Sequence, residues 1–330
     1  MSGMRDLIAE LPEQLRWSAS LAPPDMPFAD EALVVGMGGS GVAGDVAAVF
    51  AESQGRRVAV HKSYGLPAWA AATRPLIVAV SHSGNTEEAL SAVKASITDG
   101  LPVGSMSTGG ALAEMAAQYG IPHVEIPAGP QPRAAIGYLS GAVLRLLESS
   151  GVIGATATGL LEAADVVEDL LRGEAQKTAE DIAARLEGRI AVIYGGTGVA
   201  AAAAGRWKTQ MNENGKAPAY WSVLPELDHN ELVGWTAFPA LGADSVGVVF
   251  LTDRNDHPRI ALRAALTREL MRGVAVAGEV ASRGEGTLAR LFSLVVIGDL
   301  VSVAVAEHAG IDPVPVEVIE ELKRRLAEDG

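Results

Sequence analysis

The side chains of this 330-residue chain best equipped for chemistry lie on two short turns and in one polar segment. The turns are Gly36-Met-Gly-Gly-Ser-Gly41 and Ser81-His-Ser-Gly-Asn-Thr86, and each follows an apolar run and precedes a helical pattern. A helix N-terminus presents unpaired backbone N–H groups and the positive end of a dipole, and hydroxyls add neutral donors. Gly38, Gly39 and Ser40 on one turn, with Ser81, Ser83 and Thr86 on the other, therefore read as a cation-free grip for a terminal phosphate monoester. Ordinary N-caps and turn residues would explain one such turn; two of them after neighbouring strands favour an anion. In the polar segment Gly205 to Trp235, Glu213 stands between Asn212 and Asn214 and is followed by Gly215 and Lys216. A carboxylate held by Asn amides and a nearby Lys stays ionised and orientable, as a proton-abstracting base must. His229, sixteen residues on in Pro225-Glu-Leu-Asp-His-Asn-Glu231, is a candidate for passing protons between oxygens near neutral pH. Solvated loop charges and a His satisfying backbone groups are the alternative for this segment.

The elements that must position these groups alternate short apolar runs with helical patterns, which predicts α/β architecture with parallel sheets. Strands are expected at Ala32 to Val35, Arg57 to Val60, Leu76 to Val80, Val103 to Met106 and His123 to Ile126. The second half echoes the first: Arg189 to Ile193 leads into Tyr194-Gly-Gly-Thr-Gly-Val-Ala200, matching Met37-Gly-Gly-Ser-Gly-Val-Ala43 at an offset of 157 residues. Val246 to Leu251 then runs into Thr252-Asp-Arg-Asn255, a turn that has lost most of the hydroxyls of its counterpart. Between the halves, residues 155 to 187 read as helix interrupted at Gly173. Two doubly wound lobes are expected, 1–153 with the anion turns and 154–330 with the Glu213 and His229 segment. Gly36-x-Gly38-x-x-Gly41 also fits a dinucleotide fingerprint, but Val60-His61-Lys62 stands where an acidic residue should meet the ribose. NAD therefore fits badly.

Composition narrows the field further. A 48% hydrophobic content with 20% charged residues and a mean hydropathy of +0.22 excludes a disordered chain. Acidic residues outnumber basic ones 40 to 26, for a net charge of −14, which makes nucleic acid and anionic membranes poor partners. With no Cys, thiolate nucleophiles, iron–sulfur clusters and Cys-based zinc sites are all excluded. The six His are scattered, and His61, His123, His257 and His308 read as ordinary surface or core residues. No metal and no cofactor are expected. Leu291 to Ala306 is the most apolar stretch but is interrupted by Asp299 and flanked by Arg290 and Glu307, and the N-terminus lacks a signal-like apolar region. A cytoplasmic protein is the default expectation.

The motifs GMGGSG at Gly36 to Gly41, SHSGNTEE at Ser81 to Glu88, PRAAIGYL at Pro132 to Leu139, NENGKAPA at Asn212 to Ala219 and PELDHNELVGW at Pro225 to Trp235 occur in one order along the chain. With DPVPVEVIEELKRRL at Asp312 to Leu326, they resemble the bifunctional phosphoglucose/phosphomannose isomerases of the sugar isomerase (SIS) domain superfamily. The resemblance implies two SIS lobes per subunit and a homodimer whose active sites are shared between subunits. It implies metal-independent interconversion of glucose 6-phosphate or mannose 6-phosphate with fructose 6-phosphate through a cis-enediolate. Ser40, Ser81, Ser83 and Thr86 would bind the sugar phosphate, and Glu213 would shuttle the proton between C1 and C2. His229 would open the ring, reaching in from the partner subunit. Arg133 would stabilise the enediolate, and Lys323 on the C-terminal helix would assist at the ring oxygen or the phosphate. Val314 departs from the Thr that relatives often carry after Asp-Pro, which leaves the balance between the two aldoses open. A non-catalytic sugar-phosphate-binding SIS protein and an isomerase of another phosphosugar are the alternatives.

Overall fold

A computed structural model describes residues 3–129, 131–237, 244–271 and 273–329. The first half forms a five-stranded, all-parallel sheet from β1 (Glu31–Val35), β2 (Arg57–His61), β3 (Leu76–Val80), β4 (Val103–Ser107) and β5 (His123–Glu125), in the order β2-β1-β3-β4-β5. The second half forms a four-stranded parallel sheet from β6 (Ile190–Gly195), β7 (Ala219–Val223), β8 (Val246–Thr252) and β9 (Ala275–Ala281), in the order β7-β6-β8-β9.

Parallel sheets need helices on both faces, and the burial of the central strands shows both faces covered. Along β1, Ala32 and Val34 join one apolar cluster while Leu33 and Val35 join another, as the two-residue period of a strand dictates. The Leu33 side is closed by α4 (Ala70–Thr73), α5 (Glu87–Thr98) and α6 (Gly110–Tyr119), through Ala70, Ala92, Val93 and Leu112. The Val34 side packs on α3 (Gly38–Ser53) and α7 (Ile136–Ser149). That same cluster continues through α8 (Ala157–Arg172), α9 (Ala175–Leu186) and α10 (Val199–Glu213) to Ile193 and Val249 of the second sheet. One helical layer therefore lies between the two sheets and serves both. On the far side of the second sheet, Tyr194, Val248 and Phe250 pack with Leu227 and with Ile260 of α12 (Pro258–Leu270), which follows α11 (Glu231–Ala237) in the chain.

At the centre of the shared layer runs α13 (Thr287–His308), which packs on α3, α8, α9, α10 and the N-terminal α1 (Met4–Ala9). By length and composition it could cross a membrane, yet 94% of its most apolar window is buried inside the protein. Its apolarity is that of a core helix wrapped on all sides. The one acid in its interior, Asp299, accepts two hydrogen bonds from Arg206 of α10, at 3.0 and 2.7 Å, and both side chains are buried. Trp207 locks the same interface: its indole donates to the Leu294 carbonyl (2.8 Å) and lies so close to Gly298 that a Cβ there would sit 2.3 Å from the ring. α2 (Leu11–Ser20) packs on both α7 and α8 and so bridges the two halves.

Two strands were not anticipated. β7 lies inside the polar segment and, as an edge strand, leaves Tyr220 and Trp221 exposed at 62% and 45%, so its alternation carries little burial signal. β9 is built from small residues of weak strand propensity; Gly278 is needed because a Cβ would meet Ile182 of α9 at 2.7 Å. Gly205 to Glu213, read with the polar segment, is the second half of α10.

Removing one partner of a buried pair leaves an uncompensated charge. Arg206→Met should lower the unfolding free energy by about 3–5 kcal/mol in a urea titration. Arg206→Met combined with Asp299→Leu should cost less than the single change; an equal or larger loss would contradict the pairing argument.

Candidate active site

In a doubly wound sheet, the loops leaving the strand ends diverge where the strand order reverses, and a crevice opens there. In the first sheet that point lies between β1 and β3, the two strands that feed Gly36–Gly41 and Ser81–Thr86. The turns meet directly: the His82 N–H donates to Ser40 Oγ (3.3 Å). Ser81 Oγ donates to Thr86 Oγ1 (2.8 Å) and accepts from the Thr86 N–H (3.3 Å), while the Asn85 N–H donates to Ser83 Oγ (3.2 Å). The six predicted anion-binding residues are thus brought together around the N-termini of α3 and α5. Ser40 and Ser81 are buried, whereas Ser83 is exposed at the rim. Gly38 and Gly84 hold left-handed backbone, with φ of +52° and +74°, and a Cβ at Gly84 would sit 1.8 Å from the Gly109 carbonyl. The second turn is braced from behind by Thr108, whose N–H and hydroxyl both donate to the His82 carbonyl (2.9 and 2.8 Å).

Arg133 sits in a single 3-10 turn, Pro132–Ala134, against the first turn of α3; Gly39 permits this, since a Cβ there would lie 2.8 Å from the Pro132 carbonyl. Arg133 is only 3% exposed. Its Nε donates to Asn214 Oδ1 (2.6 Å), and its Nη2 donates to the carbonyls of Pro313 (3.1 Å) and Val314 (2.6 Å). Arg206 donates to the Arg133 carbonyl (2.8 Å), so the buried ion pair also fixes this turn. Glu213 is the last residue of α10, half-buried beside Asn214. Burial pulls the Arg133 guanidinium below its ordinary value, and the Glu213 carboxylate nearby pulls it back up. An unbroken line of contacts therefore runs from Gly39 through Pro132, Arg133 and Asn214 to Glu213, within one chain.

The expected cradle for Glu213 is arranged differently. Asn214 is spent on Arg133 and Ser302, and Asn212 accepts from the Ala219 N–H (3.0 Å) to set the entry to β7. Lys216 donates to the Glu213 backbone carbonyl rather than to its carboxylate, and to the carbonyls of Pro313 and Pro315. The Asn residues and the Lys therefore hold the backbone and the neighbouring Arg, which fixes where the carboxylate starts rather than gripping it. Arg206 and Asp299 escaped sequence reasoning as site supports; the available signal was a cation in an Ala-rich helix and an acid in an apolar run.

His229 is not brought to Glu213 in the same chain. Glu213 ends α10 six residues before β7, whereas His229 lies in the turn that follows that strand, and no hydrogen bond among the described residues joins the two. His229 is exposed, in the 3-10 turn Glu226–His229. Lys323 is exposed on α14 (Glu317–Asp329), whose Val318, Leu322 and Leu326 are 82%, 58% and 48% exposed. Val314 packs its side chain on the main core while its carbonyl receives Arg133 and Gln131 (3.2 Å). Among the described residues no group of three or more His, Asp or Glu could hold a metal ion. Lys62, just past the end of β2, is paired with Asp45 at 2.6 Å.

Residues 175–326 match the family model for the bacterial phospho-glucose isomerase C-terminal SIS domain. A bifunctional phosphoglucose/phosphomannose isomerase of Caldicellulosiruptor bescii is 38% identical over 308 residues, 91% of this chain and 90% of the relative. One from Aquifex aeolicus is 38% identical over 295 residues, 88% of each chain. The crystal structure of tagatose-6-phosphate ketose/aldose isomerase from Escherichia coli superposes with a TM-score of 0.69 at 16% identity, covering 94% of each chain, a likeness of fold.

Two imidazoles near the anion turns give a pH signature. His82 is lowered from 6.5 by burial, and its Nε2 is buried without a hydrogen-bond partner among the described residues. His123 is lowered by burial, partly opposed by Glu125, and stands between Ser105 Oγ (2.8 Å) and Ser107 Oγ (3.2 Å). Because the unfolded chain takes up these protons first, stability is complete above the unfolded value of 6.5 and falls as pH drops below it. The urea midpoint should decline from about pH 7.5 to 5.5, and His123→Gln should flatten that slope. A midpoint that rises on acidification would contradict this.

Proposed function

The chain belongs to the bifunctional phosphoglucose/phosphomannose isomerase family, and from that premise we propose that it is a metal-independent aldose–ketose isomerase of hexose 6-phosphates. It interconverts glucose 6-phosphate and mannose 6-phosphate with fructose 6-phosphate. The observation that carries this reading is the line of contacts joining the hydroxyl-bearing turns to Glu213 through Arg133. It supports an anion-binding end and a base joined through one chain of contacts.

In this reading the phosphate is held by Ser40, Ser81, Ser83 and Thr86 with the first-turn amides around Gly38 and Gly39. Binding energy from this remote dianion serves to place C1 and C2 against the carboxylate. His229 moves a proton from the anomeric hydroxyl to the ring oxygen, which opens the ring and exposes the aldehyde. Glu213 then removes the C2 proton, which the adjacent carbonyl has acidified, and the electron pair passes into the cis-enediolate. Arg133 offsets the charge that develops on the enediolate oxygens. The O2 hydroxyl proton passes to O1, and Glu213 returns its proton to C1 as the C2 carbonyl forms, which gives the ketose. Glucose and mannose phosphates differ only at C2; their C2 protons lie on opposite faces of the planar enediolate, so one base serves both aldoses through rotation about the C2–C3 bond.

His229 reaches the site from a second copy of the chain. The exposure of His229 on the far side of β7 from Glu213 in the chain, with the uncovered apolar stripe of α14 and the exposed Tyr220 and Trp221, supports a homodimer with shared sites. Lys323 on α14 acts at the ring oxygen or the phosphate within that assembly.

Glu213→Gln should abolish C2 proton exchange with solvent and lower kcat by about 10³-fold or more, with sugar-phosphate binding still measurable. Formation of fructose 6-phosphate from both aldoses, assayed in EDTA, checks this; full loss in EDTA that zinc restores would overturn metal independence. Mixing Glu213→Gln with His229→Ala subunits tests the sharing. If the site is built from two copies, a mixed dimer carries one intact site, and equal mixing should recover about a quarter of wild-type activity. No recovery after subunit exchange would place both residues of each site on one chain.

A further inference from the structure

We propose that Lys216 is a positioning residue for the base, an inference that rests on the reading of Glu213 as the proton-transferring carboxylate. An ammonium has three donors, and those of Lys216 are matched by three backbone carbonyls: Glu213, Pro313 (3.1 Å) and Pro315 (2.6 Å). The Glu213 carbonyl is one of the last four in α10, which no intrahelical N–H can satisfy. Lys216 folds back onto it from a left-handed backbone position, with φ at +52°, unusual for a residue with a side chain. The end of the helix that carries the base is therefore closed by a side chain from the turn that follows it.

The other two carbonyls belong to a short strap, Pro313-Val-Pro315, that leads into α14. Two of its three residues are prolines and offer no N–H, so the strap is fixed mainly through its carbonyls. Arg133 grips the same strap from the opposite side, through Pro313 and Val314. Lys216 and Arg133 thus share the Pro313 carbonyl, and the strap ties the helix end bearing Glu213 to the guanidinium that faces the enediolate. Without the ammonium, the last turn of α10 loses its cap and the carboxylate loses its fixed offset from Arg133. The phosphate grip, which is built from the other turns, is untouched. A displacement of about 1 Å between a reacting atom and its base is enough to cost about a hundredfold in rate.

Lys216→Met should therefore lower kcat by about ten- to hundredfold while KM for the sugar phosphate stays within about threefold. Lys216→Arg, which keeps a cation with several donors, should recover most of the lost kcat. Should the Met variant fail to fold, Lys216→Gln, whose amide can still reach one carbonyl, is read in the same way. Unchanged kcat in Lys216→Met, a fall in kcat that tracks the urea midpoint, or an Arg variant no better than Met would each overturn the proposal. Glu213→Gln is assayed beside these variants for C2 proton exchange. If Glu213→Gln is dead and Lys216→Met is normal, only the positioning role fails. If Glu213→Gln turns over normally, the assignment of the base fails and this proposal falls with it.

Discussion

The site depends on a buried ion pair that touches no substrate. Arg206 and Asp299 lie in the helical layer between the two sheets, with side chains only 1% and 4% exposed. Two charges in such a place are costly unless each is paired and hydrogen-bonded. Burial pushes the Asp299 carboxyl above its ordinary range, and the two-point contact with Arg206 opposes that push. What the arrangement secures is geometric. Arg206 Nη2 also donates to the Arg133 carbonyl, so the turn carrying Arg133, the helix α10 that ends at Glu213 and the central helix α13 are fixed to one another. A purely apolar contact would bury the same area without specifying that register.

The two sheets share a topology, yet their crevices are lined by different chemistry. In the second half the equivalent crevice lies between β6 and β8, where Gly195–Gly198 meets the turn after Thr252. There the Asp256 carboxylate lies against Gly196, where a Cβ would meet its Oδ1 at 2.5 Å, and it accepts from the Asp253 N–H (2.9 Å). Asp253 is in turn held by Arg290 (2.9 Å) and Ser282 (2.5 Å). An internal carboxylate with its own partners fills that crevice. The fading of the repeat, visible as hydroxyls replaced by Asp, is a change of charge: one crevice is lined by neutral hydroxyls and amides, the other by carboxylates.

Much of the arrangement near Glu213 was legible as composition but not as geometry. Asn212, Asn214 and Lys216 are neighbours of the carboxylate in sequence, which invites the picture of a cradle around it. A helix ends at Glu213, however, and successive residues past a helix end point in different directions. Asn214 turns inward to Arg133, Asn212 turns toward β7, and Lys216 doubles back to the helix carbonyls and the strap. The partners they find are remote in sequence, from positions 133, 219, 302 and 313 to 315, so no local pattern could announce them. β7 escaped for a related reason, since an edge strand with its aromatic residues facing out carries no buried alternation.

The sequence by itself determined the elements and the kind of chemistry. Apolar runs of four to six residues followed by glycine- and hydroxyl-rich turns force strand, anion-binding turn and helix in that order, because strand burial, glycine φ and helix-end amides are local properties. It also excluded whole classes of chemistry through its lack of Cys. Only the tertiary structure decided which of those elements share a wall: that Gly39 yields to Pro132 and that Arg133 meets Asn214. Those are matters of packing between segments about a hundred residues apart. Their energies come from burial, steric fit and hydrogen-bond satisfaction summed over the whole fold, and no window of sequence contains that sum.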